Sequence, residues 1–223
     1  MDQPANAPTP GTPATESKAP AAVAIAGQRP ASILLFVIVT LAVGAADLGL
    51  KYYAFHHVAG EPVALDLSAP PYFGVPHHEP TVLIPGVLNL QLTANEGAIF
   101  GIGKGQRWVF IVVGVVAIGF VSRIFWRSEA KLTLFHIALA LILSGAVGNL
   151  YDRAFYGVVR DMLHMFPNSD LPFGLSWPGG GRGLYPWIFN LADVALLFGV
   201  ITVVAVTWRH APPPKQAGGK DQD

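Results

Sequence analysis

The sequence predicts an all-α integral membrane protein: four transmembrane helices, a small extracytoplasmic β-sheet and a second extended extracytoplasmic loop. Three observations carry this. Hydrophobic residues make up 52% of the chain and charged residues 13%, whereas about a quarter of a soluble domain is charged. Four apolar runs, 33–55, 108–126, 132–150 and 188–208, each approach the roughly 20 residues that a spanning helix needs. The unusual polar residues Asp47, Lys51, Asn95, Asn149, Asp152, Arg153, Asp161, Asn190 and Asp193 gather towards one side of the membrane, with His136 alone deep within it.

Residues 1–29 are rich in Ala, Pro and Thr, and 211–223 in Pro, Gly and charge. Both read as disordered cytoplasmic tails around a membrane domain at 30–210. Span one carries Asp47 and Lys51, four apart and so on one helix face, where they can pair. Its small residues Gly44, Ala45 and Ala46 resemble the end of a cleaved signal peptide. Apolar character resumes at Leu50, Tyr52, Tyr53 and Phe55, which favours one continuous span. In the loop that follows, 81–84 and 87–92 are β-prone and Pro85-Gly86 marks a turn between them. The segment Asn95 to Gly101 comes next, its glycines permitting tight turns or close approach of a substrate backbone.

Arg123, Arg127 and Lys131 crowd the short connection between spans two and three, which the positive-inside tendency makes cytoplasmic. Both termini then lie in the cytoplasm, and the long loops 56–107 and 151–187 lie outside. Asn149, Asp152 and Arg153 stand at the outer end of span three, and Asp161 follows in the loop. Phe173, Trp177, Leu184, Tyr185 and Trp187 surround a glycine run at 179–181, fitting either an aromatic belt at the lipid headgroups or a hinged lid. Asn190 and Asp193 open span four.

Fourteen basic and fourteen acidic side chains balance, so no electrostatic footprint points to nucleic acid. The absence of cysteine excludes a disulfide framework, a thiol nucleophile and cysteine metal sites. Carboxylates near a bilayer are costly and mark function by default. If Asp161 and Asp193 converge, they cannot both ionise cheaply, and the pair can serve as acid and base. Blander readings exist: Asn190 and Asp193 have the spacing of a capping box, and His136 suits a hydrogen-bonded packing role. Histidines 56, 57, 77 and 78 lack the i, i+4 spacing of a helical zinc site. Ser144 and His136 are about two helical turns apart, too far for a nucleophile and its base. A transporter's acids would track across the bilayer, whereas these sit on one side.

Five segments together resemble the lipoprotein signal peptidases, or signal peptidase II. They are Asp47-Leu48-Gly49-Leu50-Lys51; Asn95-Glu96-Gly97-Ala98-Ile99-Phe100; Gly145-Ala146-Val147-Gly148-Asn149-Leu150-Tyr151-Asp152-Arg153; Val159-Arg160-Asp161-Met162; and Phe189-Asn190-Leu191-Ala192-Asp193. The resemblance implies an aspartic endopeptidase that needs no metal or cofactor and cleaves prolipoproteins before a diacylglyceryl-modified cysteine. It implies Asp161 and Asp193 as the catalytic pair. Asn95, Gly97, Asn149, Arg153 and Asn190 would line the site, and Asp47, Lys51 and Asp152 would support it. The partners implied are the prolipoproteins and membrane lipids, with a monomer in the bacterial inner membrane and its site at the outer face. Glu96, Ile99 and Arg160 depart from the family pattern. A cation beside a carboxylate lowers its pKa, so Arg160 is expected to favour Asp161 as the ionised member.

Overall fold

The computed structural model of the chain describes residues 24–69, 73–97, 103–178 and 181–209. Four long apolar helices form a bundle: α1 (Pro30–His57), α2 (Arg107–Arg127), α3 (Thr133–Phe155) and α4 (Leu191–Arg209). Helix α1 starts with Pro at its first position, where the missing N–H has no intrahelical partner to lose. Helix α3 is the centre of the bundle, packing against α1, α2 and α4. Of its most apolar window 44% is buried, against 11%, 11% and 17% for the corresponding windows of α1, α2 and α4. It is also the helix that carries Asn149, Asp152 and Arg153.

Small residues let α4 and α1 come close to α3. A Cβ on Gly199 would lie 2.6 Å from the Ile142 side chain and 2.8 Å from the Ala138 carbonyl, and one on Gly148 would lie 2.5 Å from Asp47 Oδ2. Van der Waals packing through such residues is what joins helices inside a bilayer. Gly148→Ala is therefore expected to destabilise by about 1–3 kcal/mol through overpacking, read as a lower unfolding midpoint in detergent. An unchanged midpoint would mean that this helix contact is looser than drawn.

At the end bearing the α2–α3 turn, Phe36 stacks on Phe125 with centroids 4.0 Å apart, and Val121, Leu139 and Ala140 complete a buried cluster. His136 is a packing residue here: it meets Phe125 edge-on at 5.2 Å, and its Nε2 pairs with Ser128 Oγ at 2.9 Å. Part of the stretch expected as a tail is ordered, since Ala26 N donates to Ser128 O and Ala130 N to Ala24 O, both at 2.8 Å. The remaining tail residues, 1–23 and 210–223, lie outside the described residues.

The opposite end carries an antiparallel sheet in the order β1 (Thr81–Ile84), β2 (Leu88–Asn95), β3 (Val159–Met165) and β4 (Ile188–Phe189). The β1–β2 hairpin is as the sequence predicts; β3 and β4 correct it. Asp161 lies on an inner strand opposite Thr93, not in a loop. Ile188 and Phe189, expected as the start of span four, pair instead with His164 and Leu163. The small sheet that the sequence predicts is thus present, with four strands where the sequence locates two, and the label all-α is too narrow. Ala54 and Phe55 of α1 pack beneath it against Leu90, Leu92, Met162 and Leu163, which fixes the sheet to the bundle. The β2–β3 register slips between Leu90 and Thr93, and there the Leu92 N–H donates to His78 Nε2 at 2.9 Å. The loop between β3 and β4 is extended and braced on itself by Leu171 N to Arg182 O (2.7 Å), Leu184 N to Ser169 O (2.6 Å) and Trp177 Nε1 to Gly183 O (2.9 Å).

Candidate active site

Where the sheet meets the helix ends, all ten residues singled out in the sequence converge. The α4 N-terminus organises them. Asn190 precedes the first turn; its Oδ1 accepts the Asp193 N–H at 2.9 Å, and Asp193 Oδ2 accepts the Asn190 N–H at 3.2 Å. This is the reciprocal capping box, and it does not exclude a second role. The side-chain Nδ2 of Asn190 donates to Asp161 Oδ1 at 2.6 Å and to Asn149 Oδ1 at 3.1 Å. One buried amide therefore bridges the two aspartates.

Each carboxylate has a second amide donor: Asn95 Nδ2 to Asp161 Oδ2 at 2.9 Å, and Asn149 Nδ2 to Asp193 Oδ1 at 2.8 Å. Asn95 Oδ1 accepts the Gly97 N–H at 3.0 Å, while Arg153 Nη2 donates to the Gly97 carbonyl at 2.9 Å. Residues 98–101 of the motif lie outside the described residues. Asp161 is 1% exposed. Burial, and then the nearby Asp193 carboxylate, push it up to about 7, against the pull of Asn95, Asn190 and Lys51. Asp193 sits at the third position of α4, where the positive end of the helix dipole favours an anion.

Behind the amides lies a buried quartet of charges. Lys51 reaches Asp47 Oδ2 at 2.8 Å, Asp152 Oδ2 at 3.3 Å and Asn149 Oδ1 at 3.3 Å. Asp47 Oδ1 accepts the Ala192 N–H at 2.9 Å, tying α1 to the first turn of α4. Arg160 completes the quartet and overturns the expectation for it. Successive strand residues point to opposite faces, so Arg160 turns away from Asp161. It donates to Asp152 through its backbone N (2.9 Å), Nε (3.1 Å) and Nη2 (2.8 Å), and its guanidinium lies 4.1 Å from the Tyr156 ring. Asp161 is raised, not lowered.

Tyr185, which the sequence offers only as part of an aromatic belt or lid, belongs beside the site: its ring packs edge-on against Phe189 at 5.6 Å, next to Asn190. Burial, then Asp193 and Asp161, push its phenol above the usual range. No spacing rule links Tyr185 to the aspartates; only the β3–β4 pairing brings it there.

Residues 39–209 match the family model described as signal peptidase (SPase) II. The chain belongs to the signal peptidase II family. The matched stretch contains every residue of the cluster. The lipoprotein signal peptidase of Latilactobacillus sakei is 32% identical over 171 residues, covering 77% of this chain and 91% of that protein. That of Halalkalibacterium halodurans is 42% identical over 120 residues, 53% of this chain and 67% of that one. Among solved structures, a bacterial membrane enzyme determined by the in meso method at 2.3 Å resolution has the same fold, with a TM-score of 0.55 and 23% identity over 86% of this chain and 93% of that one. The signal peptidase described here is thus a multi-pass membrane protein with four membrane-spanning helices.

Proposed function

We propose that this signal peptidase removes signal peptides from prolipoproteins by cleaving before the diacylglyceryl-modified cysteine, with Asp161 and Asp193 as a metal-independent catalytic pair. The observation that carries the reading is Asn190, which donates to the Asp161 carboxylate through its side-chain Nδ2 and to the Asp193 carboxylate through its backbone N–H. Two acids so placed keep one proton between them and titrate as a unit. Asp161, the buried member, holds that proton, and Asp193 at the helix N-terminus is the base. Asp193 takes a proton from water as the water attacks the scissile carbonyl, and Asp161 donates to the carbonyl oxygen. As the gem-diol intermediate collapses, the C–N bond breaks, Asp193 gives its proton to the leaving amine, and Asp161 takes a proton back from a diol hydroxyl as the new carboxyl forms. Asn95, Gly97 and Arg153 offer the substrate backbone both donors and acceptors.

Metal independence is favoured by the donors around the acids. Both Asp161 oxygens and both Asp193 oxygens accept N–H groups, which compete with any cation. The site opens to the extracytoplasmic face and both termini lie in the cytoplasm, a reading supported by Arg127 and Lys131 at the end remote from the sheet. In a two-membrane cell this is the inner membrane, with the site facing the periplasm. One chain suffices for this chemistry, since it supplies every residue of the cluster.

The test is cleavage of a diacylglyceryl-modified prolipoprotein by the purified protein in excess chelator, with the new N-terminus identified by mass. We expect cut product beginning at the modified cysteine and a rate that the chelator does not change. The kcat/KM profile should be bell-shaped. It falls about tenfold per pH unit once pH rises past the limb set by Asp161, near 7 in the free enzyme. Inhibition by the chelator, reversed by added zinc, would reject the aspartic reading.

A further inference from the structure

We infer that Arg107 is a positioning residue of the peptidase, acting through Arg153 on the Asn95–Gly97 turn beside Asp161. The inference rests on the reading of Asp161 and Asp193 as the reacting pair. Arg107 is the first residue of α2, yet its side chain serves the end of α3: Nε donates to the Arg153 carbonyl at 2.8 Å and Nη2 to the Ala154 carbonyl at 2.9 Å. The last four carbonyls of a helix have no intrahelical donor, and a cation there also meets the negative end of the dipole. The two-pronged contact fixes the turn from which Arg153 projects. The Arg153 guanidinium, 4.8 Å from the Phe110 ring of α2, then donates to the Gly97 carbonyl at 2.9 Å.

The consequence concerns which way the Asn95 amide faces. With the Gly97 carbonyl held by Arg153, the Gly97 N–H is aimed at Asn95 Oδ1 at 3.0 Å. That oxygen is thereby engaged, so the NH2 end must face Asp161 Oδ2, where it sits at 2.9 Å. An inverted amide would put an oxygen against the carboxylate. Helix α2 thus acts on the acid through Arg107, Arg153, Gly97 and Asn95 in sequence. The other groups that face or bias Asp161 are Asn190 and Asp193 at the start of α4, Lys51 of α1, Arg153 of α3 and Tyr185 from the loop before β4.

Arg107→Ala and Arg107→Lys are to be compared with the parent and with Asp161→Asn by kcat/KM over pH and by thermal unfolding in detergent. We expect Arg107→Ala to lose about tenfold in kcat/KM at pH 6. Its alkaline limb should move upward by about half a unit to one unit, because Asp161 loses a donor to its charged form. Arg107→Lys keeps the charge but not the fork, and should show a smaller move in the same direction if the alanine variant does not fold. A lowered unfolding midpoint with an unmoved limb in both variants would make Arg107 a helix cap and nothing more. The two readings fail separately: an active Asp161→Asn overturns the catalytic pair, whereas an inactive Asp161→Asn with unmoved Arg107 limbs overturns only this inference.

Discussion

Asp161→Asn and Asp193→Asn should each lower kcat for prolipoprotein cleavage by about 10³-fold or more, with the protein still folded. General acid–base catalysis is worth roughly 10²–10⁴ per group, and groups that act as a unit fail together, so the double variant should be little worse than either single one. The two singles should differ in stability. Asp161 in the parent is held at about 7 chiefly by burial. A carboxyl whose folded pKa is raised contributes stability below its unfolded value, near 4, and that contribution is lost as pH rises through about 7. Above pH 7 the parent therefore carries a destabilising charge of the order of 4 kcal/mol that asparagine removes. Against this, the new NH2 faces either Asn95 Nδ2 or Asn190 Nδ2, both donors, at a cost of about 1–3 kcal/mol. Asp161→Asn is thus expected to be less stable than the parent at pH 4 and as stable or more so at pH 8. Unfolding midpoints of both proteins at the two pH values check this, alongside the cleavage assay. Near-parent cleavage by either single variant would remove that aspartate from the reaction.

The parts of this site that were legible in the sequence are those whose signal is local. Hydropathy locates the four helices because a spanning helix needs an uninterrupted apolar run. Alternation locates the β1–β2 hairpin, because Leu90 and Leu92 are buried beneath the sheet. Strand β3 has no such alternation. Val159, Arg160, Asp161 and Met162 are all buried, with Asp161 turned to Asn95 and Asn190 and Arg160 to Asp152 and Tyr156, so polar and apolar residues are interleaved without a period. β4 is two residues long and vanished into the hydropathy of span four. Arg160 is hidden for the same reason: its place beside Asp161 in the sequence suggests a partner, whereas the pleat sends it to Asp152, eight residues back. Asn190 shows the converse: its capping role was readable from spacing, but its hold on Asp161 depends on β3 lying beside β4, a tertiary fact.

Lys51→Met should be the most destabilising single substitution outside the reacting pair, costing about 3–5 kcal/mol. Lys51 is 0% exposed and lies between Asp47 and Asp152, themselves 1% and 0% exposed. Among the described residues it is the one partner of Asp47 Oδ2. Without it, the one ion-pair partner left to these two carboxylates among the described residues is Arg160, which contacts only Asp152. A charge left unpaired at such a site is far more costly than the pair was stabilising. The effect should reach catalysis as well, because Lys51 Nζ also holds Asn149 Oδ1, and the other end of that amide aims Asp193. Asp47→Asn removes one of the stranded charges while keeping an oxygen for the Ala192 N–H. The double variant Lys51→Met, Asp47→Asn should accordingly be more stable than Lys51→Met alone, a non-additivity of about 1–3 kcal/mol. Unfolding midpoints of the four proteins close the cycle. Additive losses would mean that water reaches the quartet and that the charges are not bearing on one another; a recovery of stability without recovery of cleavage would separate the electrostatic role of Lys51 from its hold on Asn149.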